Sequence, residues 1–285
     1  MEEETVREIS AKKITDLVAG MCIESNCFLN EDIEAALRAG LENEDGGLAA
    51  DILADILKNA DIARRDAVPI CQDTGMAVFF LKLGQEVHIT DGGLYDAINE
   101  GVRRGYEEGY LRKSVVGDPL RRKNTGDNTP AVIHTEITDG DGFEITIAPK
   151  GFGSENMSAV KMLKPSDGVD GVINFVTETV RLGSGNPCPP IVVGVGIGGT
   201  MEKAALLSKQ ALLRDVRKHN PDEYYAELER TLLEKINALD IGPQGFGGKT
   251  TALGVNIETF PTHIAGLPVA VNISCHVTRH LTNWL

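Results

Sequence analysis

The stretch PIVVGVGIGG, residues 190 to 199, followed at once by MEKAALLSKQALLRDVRK, constrains the fold more than any other part of the chain. An unbroken apolar run of strand formers between proline and glycine reads as a buried strand, and the apolar spacing after it predicts a helix over 201–218. A strand feeding a helix in this way belongs to a mixed α/β architecture. Gly194, Gly196 and Gly199 stand in GxGxxG order between the two, as in a dinucleotide fingerprint. That fingerprint also needs a second strand carrying an acidic residue about 20 residues on, and here the helix continues instead. The glycines therefore read as places where strand and helix pack closely, and the helix N-terminus as a possible donor of amides to an anion.

A second glycine-rich loop, IGPQGFGGKTTALG, resembles a phosphate loop and fails by count. Gly242 stands one residue too far from Gly248, position 243 is proline, and Gly245 is too close. It reads as a substrate or subunit-contact loop in which Lys249 either meets an anion or is solvated.

Elsewhere the first third of the chain is helix-rich, with amphipathic spacing over 5–20, 31–42 and 48–65 and with Asn30 and Asp45 near helix starts. AVFFLKLGQEVHI predicts a strand, and GGLYDAINEGVRRGYEEGYLR a helix. AVIHTEI and FEITIAPK, joined by TDGDG, predict an antiparallel hairpin. VDGVINFVTETVRLG and PDEYYAELERTLLEKINAL, the latter with Pro221 near its start, predict helices, and AGLPVAVNIS a strand. With no linker or repeat, the expectation is one domain over residues 1–285: mixed α/β, a helix-rich N-terminal third followed by a mixed sheet packed with helices.

A net charge of -14 argues against nucleic acid as partner, since binding to a phosphate backbone rests on clustered Lys and Arg. No run approaches the ~20 apolar residues of a membrane span, and MEEETVREIS lacks the basic, then apolar, character of a signal peptide. A cytoplasmic protein is expected. Five cysteines fit a reducing compartment. Cys22 and Cys27, in MCIESNCF, read as packed core thiols. Cys71 in PICQDTG, Cys188 in SGNPCPP and Cys275 in NISCHVTRH each lie beside a strand end or a proline-restrained turn. They either converge as ligands or are three unrelated core thiols; their separation is far too long for a zinc ribbon.

At these residues the chain resembles the iron-sulfur subunit of class I fumarate hydratases and the related tartrate dehydratases. The resemblance rests on PICQDTGMAVFF, DPLRRKNTGDNTPAVIHTEI, PKGFGSENMSAVKMLKPSDG, NPCPPIVVGVGIGGTMEKAALLSK, GPQGFGGKTTALGVNIE and THIAGLPVAVNISCH, in that order. It implies a [4Fe-4S] cluster held by Cys71, Cys188 and Cys275, with one iron left open as a Lewis acid. It also implies acid-base roles for Asp73 and His263, and substrate-carboxylate contacts from Gln72, Arg112 and the backbone of Gly153. If the segment is extended, Asp73 shares a face with Cys71; the plainer alternative is an Asp that caps the turn at Gly75. Arg121 and Arg122 compete with Arg112 for the arginine role, and NTGDNTP reads as a rigid Asx-rich turn.

The resemblance is to the two-subunit arrangement. It implies a separate beta subunit that completes the site, a hetero-oligomer, and a chain that binds the cluster but turns over little alone. Leu281, Trp284 and Leu285 read as an assembly surface or a frayed tail. Fumarate with L-malate is the expected substrate pair, and L(+)-tartrate the rival. A nucleotide-binding module with structural cysteines is the alternative of another class.

Overall fold

The computed structural model describes residues 6 to 285. Residue 5, where the first helix was expected to begin, and most of the acidic start of MEEETVREIS lie outside the described residues. In chain order the elements begin with β1 (Arg7–Ser10), α1 (Ala11–Cys27), α2 (Glu31–Asn43), α3 (Gly47–Asp66), β2 (Val78–Gly84), β3 (Val87–Thr90) and α4 (Leu94–Glu108). They continue with β4 (Val132–Thr138), β5 (Phe143–Ile147), α5 (Phe152–Glu155), β6 (Ala159–Leu163), α6 (Gly168–Gly183) and β7 (Ile191–Gly198). The last are α7 (Met201–Ala211), α8 (Glu223–Asn237), β8 (Ala252–Phe260), β9 (Leu267–Ser274) and β10 (Leu281–Trp284). This is the expected mixed α/β class with a helix-rich start. No helix among the described residues is long and apolar enough to cross a membrane.

The chain forms two compact units. The first comprises the residues up to Leu29, Ile62–Lys150 and Arg279–Leu285. Its four-stranded sheet has the order β10-β5-β2-β4, so β4 and β5 are not the adjacent hairpin predicted. β2 lies between them, parallel to β4 and antiparallel to β5. The reason is burial: Val78 to Leu81 are all buried and take the centre, while the TDGDG connection passes across the end of β2. There the Gly84 N–H donates to the Gly142 carbonyl at 2.7 Å, and any Cβ on Gly84 would collide with the Gly140 carbonyl oxygen.

Two helix and strand limits also differ from expectation. Residues 7–10 are a strand parallel to β3, and α1 starts only at Ala11, capped by the Ser10 hydroxyl accepting from the Lys13 N–H at 3.3 Å. The predicted strand over 77–89 is correspondingly broken after Gly84, which frees Val87–Thr90 to pair with β1. Against the sheet, α1 and α4 pack around Ile14, Val18, Phe79, Ile98, Val102 and Tyr106, each fully buried; an apolar side chain buried in this way contributes about 1.5–3 kcal/mol. The C-terminal apolar residues are not a frayed tail. β10 pairs with β5, Leu281 packs on the core, Leu285 is buried within it, and only Trp284 faces outward, 69% exposed.

The second unit comprises Asn30–Asp61 and Gly151–Thr278. Its sheet has the order β6-β9-β7-β8, with β7 parallel to β8 and antiparallel to β9. Every residue of β7 is buried. Helices α6 and α8 supply Val176, Val180, Leu232 and Ile236 to the core. Helix α7 lies so close to β7 that a Cβ on Gly194 would strike the Ser208 carbonyl and one on Gly196 the Ala204 carbonyl. Close strand-to-helix packing accounts for both glycines. The helix ends at Ala211, not at residue 218, because the next segment turns: Asp215 accepts from Arg217, and the Val216 N–H donates to the buried Asp32 carboxylate at 2.9 Å.

Candidate active site

In the first unit the PICQDTG segment is a bend and not an extended stretch. Cys71 and Asp73 still meet, because the bend folds the Asp73 N–H onto Cys71 Sγ at 3.4 Å. The Cys71 thiol donates to Gln72 Oε1, also at 3.4 Å. Asp73 Oδ1 accepts the Gly75 N–H at 3.0 Å, so its carboxylate does cap the turn.

Gly75 has φ +78°, which only glycine adopts without strain, and a Cβ there would lie 2.8 Å from the main chain of Lys150. Three side chains prop the turn from behind. The hydroxyl of fully buried Tyr106 donates to the carbonyls of Thr74 and Gly75 at 3.0 and 2.9 Å. Asn128, also fully buried, donates to the Gly75 carbonyl at 3.2 Å while its Oδ1 accepts the Ser114 N–H at 2.7 Å. Arg279 donates to the Asp73 carbonyl at 2.8 Å.

Arg112 is joined to the same turn through its backbone: Thr74 Oγ1 accepts the Arg112 N–H at 2.9 Å, and its hydroxyl faces the Arg112 carbonyl at 3.2 Å. The Arg112 side chain is exposed. Of its competitors, Arg121 donates its N–H to Asp118, and Arg122 turns back toward the Pro119 carbonyl. NTGDNTP is the Asx-rich turn expected, with Asn124 and Asp127 capping Gly126 and Thr129 at 2.7 and 3.0 Å.

In the second unit the structure brings Cys188 and Cys275 to one end of the sheet. Cys188 lies just before β7 and Cys275 just after β9, where Val192 pairs with Ser274. His276, next to Cys275, places Nδ1 2.9 Å from the Cys188 carbonyl. Gln244 donates from its N–H and its side-chain amide to the Pro189 carbonyl at 2.7 and 2.9 Å. Cys188 itself has φ +55°.

His263 lies at the other end of this sheet. It occupies the exposed connection between β8 and β9, where Phe260 pairs with Gly198, and its Nδ1 accepts the Ala265 N–H at 3.2 Å. The length of β7, about 23 Å at the usual rise per residue, separates it from Cys188 and Cys275, so the structure does not bring His263 to these two thiols. Gly153 falls within the short helical turn α5, where a Cβ would stand 3.9 Å from the Asn186 carbonyl oxygen. Lys249 is ion-paired with Asp45. The amides around it donate to Glu44 and Asp240, at 2.8 Å for the Thr250 N–H. That loop is closed by carboxylates of its own chain.

The five thiols sort into two kinds. Cys22 and Cys27 are buried; burial pushes both thiols up from their ordinary range, with the Arg279 charge partly opposing this at Cys27. Cys71 and Cys275 are half-buried and Cys188 exposed, the setting in which reactive thiols are found. Sequence reasoning missed Tyr106, Asn128, Gln244, His276 and Arg279 as supports. Asn128, Gln244 and His276 sat inside motifs already singled out, whereas Tyr106 carried no signal beyond an apolar helix position.

The comparisons with known proteins agree on one family. The family model described as fumarate hydratase (Fumerase) matches residues 15–283. A protein of Methanocaldococcus jannaschii named "Putative L(+)-tartrate dehydratase subunit alpha" is 45% identical over 274 residues, covering 94% of this chain and 95% of that one. The L(+)-tartrate dehydratase subunit alpha of Escherichia coli (strain K12) is 33% identical over 285 residues, covering 99% of this chain and 94% of its own length. The protein of the same name from Shigella sonnei matches to the same extent. With nearly the whole chain matched by the family model and by relatives above 30% identity, this protein belongs to the fumarate hydratase (Fumerase) family.

Proposed function

We propose that this chain is the alpha subunit of a hydro-lyase that interconverts a 2-hydroxy dicarboxylate and its dehydrated product, with a separate beta subunit completing the site. The match to the family model over residues 15–283 carries the reading. Fumarate with L-malate is the first substrate reading, after the family's own description. L(+)-tartrate is the second, favoured by the names of the curated relatives. The cytoplasm, where thiols stay reduced, is the compartment that suits three accessible cysteines.

The proposal includes a [4Fe-4S] cluster held by Cys71, Cys188 and Cys275. The donor set fits: these are the accessible thiols, while the two remaining cysteines are shut in the core. When bound, such a cluster supplies Lewis-acid stabilisation of the departing hydroxyl and of charge on the neighbouring carboxylate.

The chain's own residues supply the rest. Dehydration takes a proton from the carbon beside the carbinol carbon and releases the hydroxyl as water, so a group that carries a proton must stand at the substrate. Asp73 is assigned that work, its carboxylate oriented by the Gly75 N–H. Gln72 offers side-chain amide donors to a substrate carboxylate, Arg112 a guanidinium fork, and Gly153 its backbone. His263, a strand's length from Cys188 and Cys275, is given no part in proton transfer at those thiols.

The test is co-expression with the beta subunit under argon and a side-by-side assay of L-malate and L(+)-tartrate. Dehydration of either supports the hydro-lyase reading, and a strong preference for tartrate replaces the first substrate reading with the second. A complex that carries iron and sulfide yet dehydrates neither overturns the proposal. Asp73→Asn is expected to keep the brown colour and lose about 100-fold or more in kcat. A chromophore that survives Cys188→Ala unchanged removes the cluster assignment.

A further inference from the structure

We infer that Gln244 and His276 are positioning residues that clasp the Cys188 turn and fix it against the Cys275 turn, presetting two thiols for a shared metal cluster. The inference rests on the cluster reading above and deepens it.

The argument begins with what the turn cannot do for itself. In NPCPP the three prolines have no N–H, so Cys188 holds the only main-chain donor between Asn186 and Ile191. That donor is spent on the Gly185 carbonyl at 3.1 Å. Cys188 also sits at φ +55°, a conformation that costs an L-residue about 1–2 kcal/mol. A strained non-glycine residue persists only where its surroundings over-determine it, and such positions gather at functional sites.

Here the surroundings are donors from two other loops. The Cys188 carbonyl faces His276 Nδ1 at 2.9 Å and the His276 N–H at 3.4 Å. The next carbonyl, that of Pro189, receives both the N–H and the side-chain amide of Gln244. Gln244 is itself at φ +54°, so strain is accepted on both sides of the contact. Gly185 and Gly245 let the two loops lie back to back: a Cβ on Gly245 would be 2.8 Å from Gly185 Cα. The ring proton of His276 belongs on Nδ1, donated to the Cys188 carbonyl 2.9 Å away, since a carbonyl oxygen only accepts. His276 directly follows Cys275, so one residue ties the two cysteine turns together. Partners that orient metal ligands are typically worth 10- to 100-fold in metal affinity.

The test compares the full-length chain with Gln244→Ala, Gln244→Glu, His276→Ala and His276→Asn. Two quantities are read: the rate of iron loss to a chelator after anaerobic reconstitution, and hydrogen–deuterium exchange at the Cys188 N–H in the metal-free chain. The alanine variants and Gln244→Glu, which puts an acceptor against the Pro189 carbonyl, are expected to lose iron about 10- to 100-fold faster. Exchange at Cys188 is expected to rise about tenfold or more, with far-UV circular dichroism and global melting nearly unchanged. His276→Asn, whose side-chain N–H can take the place of Nδ1–H, is expected to restore both quantities. Wild-type exchange and iron retention in the alanine variants overturn the inference, as does a His276→Asn variant no better than His276→Ala. If the wild-type chain takes up no iron, the cluster reading falls, while exchange at Cys188 still decides whether the clasp exists.

Discussion

Gly75→Ala probes the turn that carries Asp73, and its cost can be worked from the structure. Alanine at φ +78° loses about 1–2 kcal/mol to the clash of its Cβ with its own backbone. The same Cβ would stand 2.8 Å from both the N and C atoms of Lys150 and 3.0 Å from its O. Such overpacking costs about 1–3 kcal/mol where the neighbour cannot yield. Lys150 cannot yield cheaply, because its N–H and carbonyl are both bonded to Met76, at 2.9 and 3.0 Å. Nor can Gly75 retreat without weakening its contacts with Tyr106 and Asn128. The expected loss is about 2–5 kcal/mol, a fall in Tm of roughly 4–20 °C at the usual 2–4 °C per kcal/mol. Urea unfolding of the variant beside Gly126→Ala is the assay. Gly126 has φ +90° but nothing within 4 Å of its Cβ position, so that variant reports backbone strain alone. If Gly75→Ala costs no more than Gly126→Ala, the contact with Lys150 does not hold the turn and the reasoning is refuted.

Three further outcomes are expected. Tyr106→Phe removes the hydroxyl that reaches the Thr74 and Gly75 carbonyls and should cost about 1–2 kcal/mol in urea unfolding; an unchanged midpoint would show that the hydroxyl does not support the turn. In the folded, metal-free chain, iodoacetamide should label Cys71, Cys188 and Cys275 while Cys22 and Cys27 react only after unfolding, which peptide mass mapping reads directly. Asp215 is held at about 2, below its ordinary 3.8, chiefly by hydrogen bonds from the Arg217 side chain. A lowered carboxylate contributes stability that is full above 3.8 and is lost as pH falls toward 2. Asp215→Asn should therefore cost about 1–2 kcal/mol at pH 7, allowing for solvent screening, and progressively less in unfolding curves taken from pH 4 down to pH 2.

What the sequence made legible followed from short-range pattern. Amphipathic spacing placed α2, α6 and α8 within a few residues, and the failed glycine fingerprints were recognised by what they lacked. Glycine identity carried the packing of β7 on α7, since a side chain at Gly194 or Gly196 has nowhere to go. Long-range pairing was not legible. AVIHTEI and FEITIAPK have every local mark of a hairpin, yet the more apolar Val78–Leu81 stretch takes the place between them, because burial decides the central strand. Strand β8 was hidden in the tail of the loop beginning at Gly242, and β1 is four residues long with a single buried side chain, Ile9. For the site, residue types revealed the ligand candidates, whereas the supports from Tyr106 and Gln244 depend on distances no periodicity encodes. His263 matched a motif, and topology placed it at the far end of β7.

The pairing of β10 with β5 has a consequence for how the protein is made. Trp284 sits opposite Glu144, and Leu285 donates its N–H to the Phe143 carbonyl. The first unit thus draws its sheet from segments that lie on both sides of Gly151–Thr278 in the chain. During synthesis its sheet must wait with β5 uncovered while all of Gly151–Thr278 is translated. An exposed strand edge is a template for pairing with another chain, and sheets that depend on such distant partners close slowly. A nascent chain stalled before Leu281 would therefore present an open edge and a core lacking Leu281 and Leu285.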